Sequence, residues 1–243
     1  MSTFDLPEFV TIPRTIFLMG TPESDLSRLA KAYGGTRESY REESPQHQVH
    51  LEAYAIGKMP ISVAAYQHFV DAGGSTPAQF ARQLEQPTLP VVNITWHMAR
   101  AYCAWISGVT GTMFRLPTEA EWECAARGTD SRQYPWGDEF DIAHATTRES
   151  GVGLMPVGSY PSGASPWGVL DMAGSVWEWT ESLDLLYPYD QHDGRNDETA
   201  IGRRVIRGGC YVNPQGYARC ACRFRMAPDM TNPFLGLRIV TDG

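Results

Sequence analysis

Three of the five cysteines in this 243-residue chain lie close together near its C-terminus. They are Cys210, Cys220 and Cys222, and neighbouring thiolates are the ligands that Cu(I) prefers in proteins. Residues 219–225 read as a strand, which predicts that Cys220, Cys222 and Phe224 project from one face. A small apolar stripe is the simpler interpretation of that face, and a clamp for a soft metal is the alternative.

Charge and composition argue against several classes of function. The net charge of −8 opposes a general phosphate-binding surface, so we expect no nucleic-acid partner. No apolar run reaches the length of a membrane span, and residues 1–7 lack the features of a secretory signal. The odd, low cysteine count favours a reducing compartment, so the cytoplasm is the expected location. Scattered histidines and the lack of a GxSxG elbow leave serine-hydrolase chemistry unsupported.

The elements that must position these residues are predicted from periodicity and capping. Strand-forming residues predict extended segments over Phe9–Gly20 and His47–Ile56. Residues 21–46 are polar and predict a long surface loop that contains a short helix around Leu26 and Leu29. Beyond Gly128 the periodicity fades, and no long helix is expected. Three helices are predicted by their N-cap residues, Ser62, Thr95 and Thr118.

Four motifs follow one another along most of the chain. They are Arg115-Leu116-Pro117-Thr118-Glu119-Ala120-Glu121-Trp122-Glu123, Pro135-Trp136-Gly137, Gly174-Ser175-Val176-Trp177-Glu178-Trp179, and a C-terminal frame between Arg207-Gly208-Gly209 and Gly236-Leu237-Arg238. In these motifs the sequence resembles the formylglycine-generating enzyme (sulfatase-modifying factor) family. The resemblance implies a single α+β domain over residues 1–243 with a fold related to C-type lectins, rich in loops and limited in regular secondary structure.

The catalytic members of that family hold copper between two cysteines. The matching positions here are Asn213 and Ala218, and Cys210 occupies the family's serine position. The resemblance therefore implies the scaffold without its copper pair, which favours a non-catalytic protein and makes copper an unexpected cofactor. The alternative is a copper-dependent oxidase with relocated thiolates, for instance Cys210 with Cys220 or Cys222. A related iron-dependent branch uses histidines from an additional helical domain, which this sequence does not contain.

The resemblance also implies a structural calcium site around the third motif. Its ligands would be the side chains of Asp171 and Glu178 and the main-chain oxygens of Gly174 and Val176. Calcium prefers carboxylate and carbonyl oxygens and tolerates irregular loops, so these ligand types are suitable. The alternative is that both carboxylates accept backbone N–H groups.

The residues inside the C-terminal frame are mostly apolar or aromatic. In this the chain resembles the variable proteins of diversity-generating retroelements, whose C-terminal segment is rewritten at adenines between similar landmarks. The second landmark departs slightly, with Leu237 in place of phenylalanine. We expect residues 207–238 to form a variable surface for an unknown protein or small-molecule ligand, and an ordinary packed strand-loop-strand is the alternative. Among the aromatic and methionine residues, Tyr211, Tyr217, Phe224, Met226 and Phe234 are expected to point outward. The candidate ligand-binding residues are Cys210, Tyr211, Val212, Asn213, Gln215, Tyr217, Cys220, Cys222, Phe224, Arg225, Met226, Met230 and Phe234.

Overall fold

The computed structural model describes residues 6–243, in which short helices and strands are joined by long loops. The α-helices are α1 (Leu26–Tyr33), α2 (Val63–Asp71), α3 (Phe80–Gln83), α4 (Trp96–Thr110) and α5 (Glu119–Arg127). The strands are β1 (Phe9–Ile12), β2 (Thr15–Met19), β3 (His47–Leu51), β4 (Tyr54–Gly57), β5 (Phe114–Arg115), β6 (Trp177–Leu183), β7 (Arg204–Arg207), β8 (Arg223–Met226), β9 (Leu235–Gly236) and β10 (Val240–Asp242). The predicted α+β, loop-rich class is confirmed.

The strands form three small sheets, with the orders β1-β4-β10-β5, β2-β3 and β8-β7-β6-β9. Strand β10 near the C-terminus lies between β4 and β5, so the first sheet joins both ends of the chain. In the third sheet β6 pairs in parallel with β9 and antiparallel with β7. The two landmarks of the C-terminal frame are therefore held beside β6, one on each of its edges.

All three predicted helix starts are confirmed. The hydroxyls of Ser62, Thr95 and Thr118 each accept the N–H three residues later, and Thr118 completes a capping box with Glu121. The apolar face of α4 is buried, from Trp96 to Ile106. These short-range signals succeed because a cap satisfies its own helix end.

The predicted extended segments are each divided in two by a turn. Phe9–Gly20 contains β1 and β2, and His47–Ile56 contains β3 and the start of β4. The two strands of each segment do not pair with each other, since β1 pairs with β4 and β2 pairs with β3. The helix predicted around Leu26 is α1, and both Leu26 and Leu29 are buried.

The strand predicted over residues 219–225 is wrong. Residues 219–222 form a turn in which the N–H of Cys222 donates to the carbonyl of Arg219 at 3.0 Å, and β8 begins only at Arg223. Because these residues are not in a strand, the side chains of Cys220 and Cys222 do not project from one face. Cys222 packs in one hydrophobic cluster and Cys220 in another. The shared cysteine face that the sequence suggested is absent.

Two large hydrophobic clusters form the core of the described residues. One gathers α2, α4 and the sheet around Trp177 and Trp179, and the other gathers α5, β2, β3 and β4 around Trp122. No helix within residues 6–243 combines the length and apolarity needed to cross a bilayer.

Candidate ligand-binding surface in the C-terminal segment

Glycines fix the two ends of the C-terminal segment, residues 207–238. Gly208 and Gly209 adopt φ values of +101° and +72°, a region that strongly favours glycine. A Cβ on Gly209 would lie 2.8 Å from the carbonyl oxygen of Tyr217, and one on Gly236 would lie 2.6 Å from that of Val91. Both landmarks therefore need glycine for close backbone approach.

Between these landmarks the segment presents several large side chains to solvent. Tyr217 is 42% exposed and Phe224 is 45% exposed, and both rings lean on buried Trp177 with centroid distances of 6.4 and 5.9 Å. Val212 and Met230 are also exposed, whereas Tyr211, Asn213, Gln215 and Arg225 are half-buried. The predicted recognition surface is thus brought together in part.

Five of the thirteen candidate ligand-binding residues are buried or pack against the core. Cys210, Cys220 and Cys222 are buried, and burial raises the pKa of their thiols to about 11, 12 and 12 respectively. Met226 and Phe234 are half-buried because they pack against the cluster that contains Trp177. The expectation that Met226 and Phe234 point outward is therefore wrong.

The two positions where the resemblance implies copper ligands now have other partners. The Oδ1 atom of Asn213 accepts hydrogen bonds from Trp177 Nε1 at 2.8 Å and from Cys210 Sγ at 3.0 Å. Ala218 is buried beside Tyr134. An amide that is already bonded and a methyl group are not soft ligands, so these residues do not fit Cu(I). Within residues 6–243 no cluster of three or more His, Cys, Asp or Glu side chains is arranged for a metal.

The implied calcium ligands are also engaged with the protein itself. Arg238 donates to both carboxylate oxygens of buried Glu178, at 3.0 and 2.9 Å, and Trp122 Nε1 adds a third bond at 2.7 Å. Asp171 accepts the N–H of Gly158 at 2.6 Å, and burial raises the pKa of the Asp171 carboxyl. A carboxylate neutralised by a guanidinium attracts a dication weakly, so the arrangement does not fit calcium at Glu178. Calcium here stays a prediction that the structure does not favour.

A cavity of about 350 Å³ lies beside the exposed aromatic residues. One wall is the C-terminal segment, including Tyr217 and Phe224. The other wall belongs to residues 26–43, which we call the arm and which comprises α1, Gly34-Gly35 and a 3₁₀ helix over Arg37–Glu43. We call this space the arm cavity, and its volume is that of a small-molecule site.

The arm is tied to the C-terminal segment by ion pairs and hydrogen bonds. Glu43 receives two hydrogen bonds from Arg219, at 3.1 and 2.9 Å, with both side chains 4% exposed. Glu42 pairs with Arg225, and its carbonyl oxygen accepts from Arg223 at 3.0 Å. Such contacts position the arm as a fixed wall.

Sequence reasoning missed the arm as part of the site. The arm contributes the rings of Tyr33 and Tyr40, with the Tyr40 hydroxyl donating to the carbonyl of Gly34 at 2.9 Å. Two tyrosines that flank a Gly-Gly pair in an otherwise polar stretch were the available signal. The residues that face these tyrosines across the cavity, from Pro214 to Arg225, lie well over a hundred residues away in the sequence. Local sequence patterns therefore could not identify the tyrosines as part of a site.

The arginines of the C-terminal region serve internal contacts. Buried Arg207 and Arg223 both contact the carboxylate of Glu119, and Arg207 also contacts Glu123 at 2.9 Å. Arg207 aligns with Glu178 in the β6–β7 ladder. This network lies beneath the C-terminal segment and supports it from the core.

Comparisons with known proteins agree with this architecture. The model for the sulfatase-modifying factor enzyme 1-like domain matches residues 2–243. Serine/threonine-protein kinase pkn1 of Chlamydia caviae is 32% identical in an alignment of 231 positions, and the match covers 84% of this chain and 35% of that protein. Hercynine oxygenase of Mycolicibacterium thermoresistibile is 31% identical in an alignment of 249 positions including gaps, and the match covers 82% of this chain and 53% of that protein. The chain therefore spans only about a third to a half of these relatives.

Solved structures match over nearly the full length. PvdO from Pseudomonas aeruginosa has a TM-score of 0.76 and 26% identity, covering 98% of this chain and 95% of its own. Treponema denticola variable protein 1 has a TM-score of 0.73 and 22% identity, covering 97% and 95%. At 22% identity the second likeness establishes a shared fold and nothing finer.

Proposed function

Because this chain belongs to the sulfatase-modifying factor enzyme 1-like family but lacks its copper-binding cysteines, we propose that it is a non-catalytic ligand-binding protein. Its ligand binds in the arm cavity and on the adjoining surface of the C-terminal segment. The proposal covers the described domain, and any further activity of a longer protein would be additional.

One observation carries the proposal. Two large aromatic side chains, Tyr217 and Phe224, are each more than two-fifths exposed at the edge of a cavity, and each contacts the buried ring of Trp177. Exposed aromatic groups beside a cavity contribute little to folding and much to recognition. The glycine landmarks and the ion-paired arm hold this surface rigidly, which lowers the entropic cost of binding.

The rival function, a copper-dependent oxidase with relocated thiolates, has weaker support. A thiolate is the copper ligand and the nucleophile, whereas burial keeps the thiols of Cys210, Cys220 and Cys222 protonated at neutral pH. Cys220 also belongs to a different core cluster from the other two.

The proposal is tested by binding arrays of glycans, peptides and metabolites. Wild type is compared with the double variant Tyr217→Ser/Phe224→Ser. The control is Val109→Ser/Met113→Ser, which alters one exposed residue near the end of α4 and one in the loop that follows it. We expect at least one ligand class to bind wild type and the α4 control but not the cavity variant. Equal binding by all three proteins, or no binding in any class, contradicts the proposal.

Diversification of residues 207–238 is a further part of this proposal. The shared fold with a variable protein of Treponema denticola and the residue types inside the frame support it. A near-copy of codons 207–238 downstream of the gene, followed by a reverse transcriptase gene, is the expected genomic arrangement. An isolated gene without such a copy argues for an invariant binding surface.

A further inference from the structure

The charged groups around the arm cavity cancel one another. Six charged side chains line it, and three are positive and three negative. They are Arg219, Arg223, Arg225, Glu38, Glu42 and Glu43.

None of these charges is free for a ligand. Arg219 is bonded to Glu43, and Arg225 contacts both Glu42 and Asp184. The remaining two are also paired, Arg223 with Glu119 and Glu38 with Arg41. A charged ligand must therefore compete with an existing ion pair. The Arg219–Glu43 and Arg223–Glu119 pairs are buried, and breaking a buried pair costs more than a new contact returns. The Arg225–Glu42 and Glu38–Arg41 pairs are more exposed and oppose a charged ligand less strongly.

The surfaces that remain available are those of aromatic rings and of the Arg225 guanidinium, whose side chain is 26% exposed, whereas that of Arg219 is only 4% exposed. The guanidinium of Arg219 lies 5.5 Å from the ring centre of Tyr33 and 5.2 Å from that of Tyr40. The guanidinium of Arg225 lies 5.8 Å from the ring centre of Phe224. Aromatic rings and guanidinium planes both stack favourably on a further planar ring.

One polar group is also available at the rim. The hydroxyl of Tyr217 makes no hydrogen bond with any residue in the range 6–243. A tyrosine hydroxyl both donates and accepts, so it can pair with either a carbonyl or a hydroxyl of an uncharged ligand.

Resting on the proposed function, we infer that the arm cavity binds a small molecule with an uncharged planar aromatic ring. The ring stacks on the faces of Tyr217 and Phe224 and on the guanidinium plane of Arg225, and a neutral polar substituent pairs with the Tyr217 hydroxyl. The balanced, internally paired charges select against ionic forms of the same ring.

Three probes that share one ring test this inference. Near pH 6, N-acetyltyrosinamide is neutral, N-acetyltyrosine is an anion and tyrosinamide is a cation, because an α-amino group titrates only at about pH 7.7–8.0. Each is titrated by NMR against wild type, Tyr217→Ser, Phe224→Ser and the control Val109→Ser/Met113→Ser. We expect saturable binding of the neutral probe, at least about tenfold weaker binding of both ions, and about tenfold weaker binding in each cavity variant.

The outcomes separate this inference from the proposed function. Tighter binding of either ion, no binding of the neutral probe, or neutral-probe binding that survives both cavity substitutions overturns the inference. If the arrays at the same time show a ligand whose binding depends on Tyr217 and Phe224, the proposed function stands and only the ligand class is wrong. If the arrays show none, both fail.

Discussion

Arg219 and Glu43 lie 176 residues apart in the sequence, yet they form a two-bonded ion pair that is almost fully removed from water. The guanidinium also lies over the rings of Tyr33 and Tyr40. This one contact joins the arm to the C-terminal segment and forms the floor of the arm cavity.

Breaking this ion pair on one side should destabilise the protein strongly. Arg219→Met leaves the Glu43 carboxylate buried without a partner, which typically costs about 3–5 kcal/mol of unfolding free energy. The matched control is Arg41→Met, because Arg41 pairs with Glu38 on the exposed side of the same arm and should cost under about 1 kcal/mol. Urea unfolding measures both, and similar small losses would show that the arm does not dock in solution.

The aromatic residues of the C-terminal segment should divide into two groups. Tyr217→Ser and Phe224→Asn should each change stability by under about 1 kcal/mol, because both side chains are largely exposed. Phe234→Asn should cost about 2 kcal/mol, since its ring is half-buried against the core. Thermal melts of the single variants measure these differences in stability. If the double variant Tyr217→Ser/Phe224→Asn were unfolded, both side chains would have to be counted as part of the core.

The thiols should be unreactive in the folded protein. All five cysteines are buried, and burial raises the pKa of Cys220 and Cys222 to about 12. At pH 8 we expect Ellman's reagent to titrate few or none before unfolding and all five in guanidinium chloride. Rapid reaction of two thiols in the native state, together with stoichiometric Cu(I) binding and oxygen consumption with a cysteine peptide, would instead support the oxidase.

Chelation should leave the stability unchanged. Arg238 already neutralises the Glu178 carboxylate, so we expect the same Tm in EGTA and in millimolar calcium. Were calcium bound through Asp171 and Glu178, a hundredfold excess over Kd would stabilise the fold by about 2.7 kcal/mol. In that case EGTA would lower the Tm of wild type but not of Asp171→Ala.

A buried carboxyl should give the stability a measurable pH dependence. Burial raises the pKa of Glu181 above its ordinary value of 4.5, against the opposing effect of Arg100, and its Oε1 atom has no hydrogen bond within the described structure. The folded state then binds the proton more tightly than the unfolded state. Wild-type stability, relative to Glu181→Gln, should therefore be greatest below pH 4.5 and fall as the pH rises through the folded pKa, by at most about 1.4 kcal/mol per pH unit.

Urea unfolding of wild type and of Glu181→Gln is compared from pH 4 to 7. The difference in unfolding free energy isolates the Glu181 carboxyl, because the other carboxyl groups titrate alike in the two proteins. A difference that grows in the opposite direction would mean that Arg100 and Arg204 outweigh burial and lower the pKa instead.

The sequence alone determined those features whose causes are local. Ser62, Thr95 and Thr118 cap helices because a side-chain oxygen satisfies N–H groups of the adjoining turn. The family motifs indicated the fold, and Asn213 and Ala218 by residue type alone indicated the lack of a copper pair.

Only the tertiary structure decided which candidate residues meet solvent or one another. Cys220 and Cys222 are separated because a turn replaces the expected strand, and Phe234 packs inward against residues remote in sequence. Arg238 bonds to Glu178, and the arm lies across the cavity from Tyr217. Both arrangements join parts of the chain that are distant in sequence. The free energies of burial and ion pairing depend on contacts that form only in the folded protein. The type of a residue therefore limits the interactions it can make, and its neighbours in the folded structure determine which of them form.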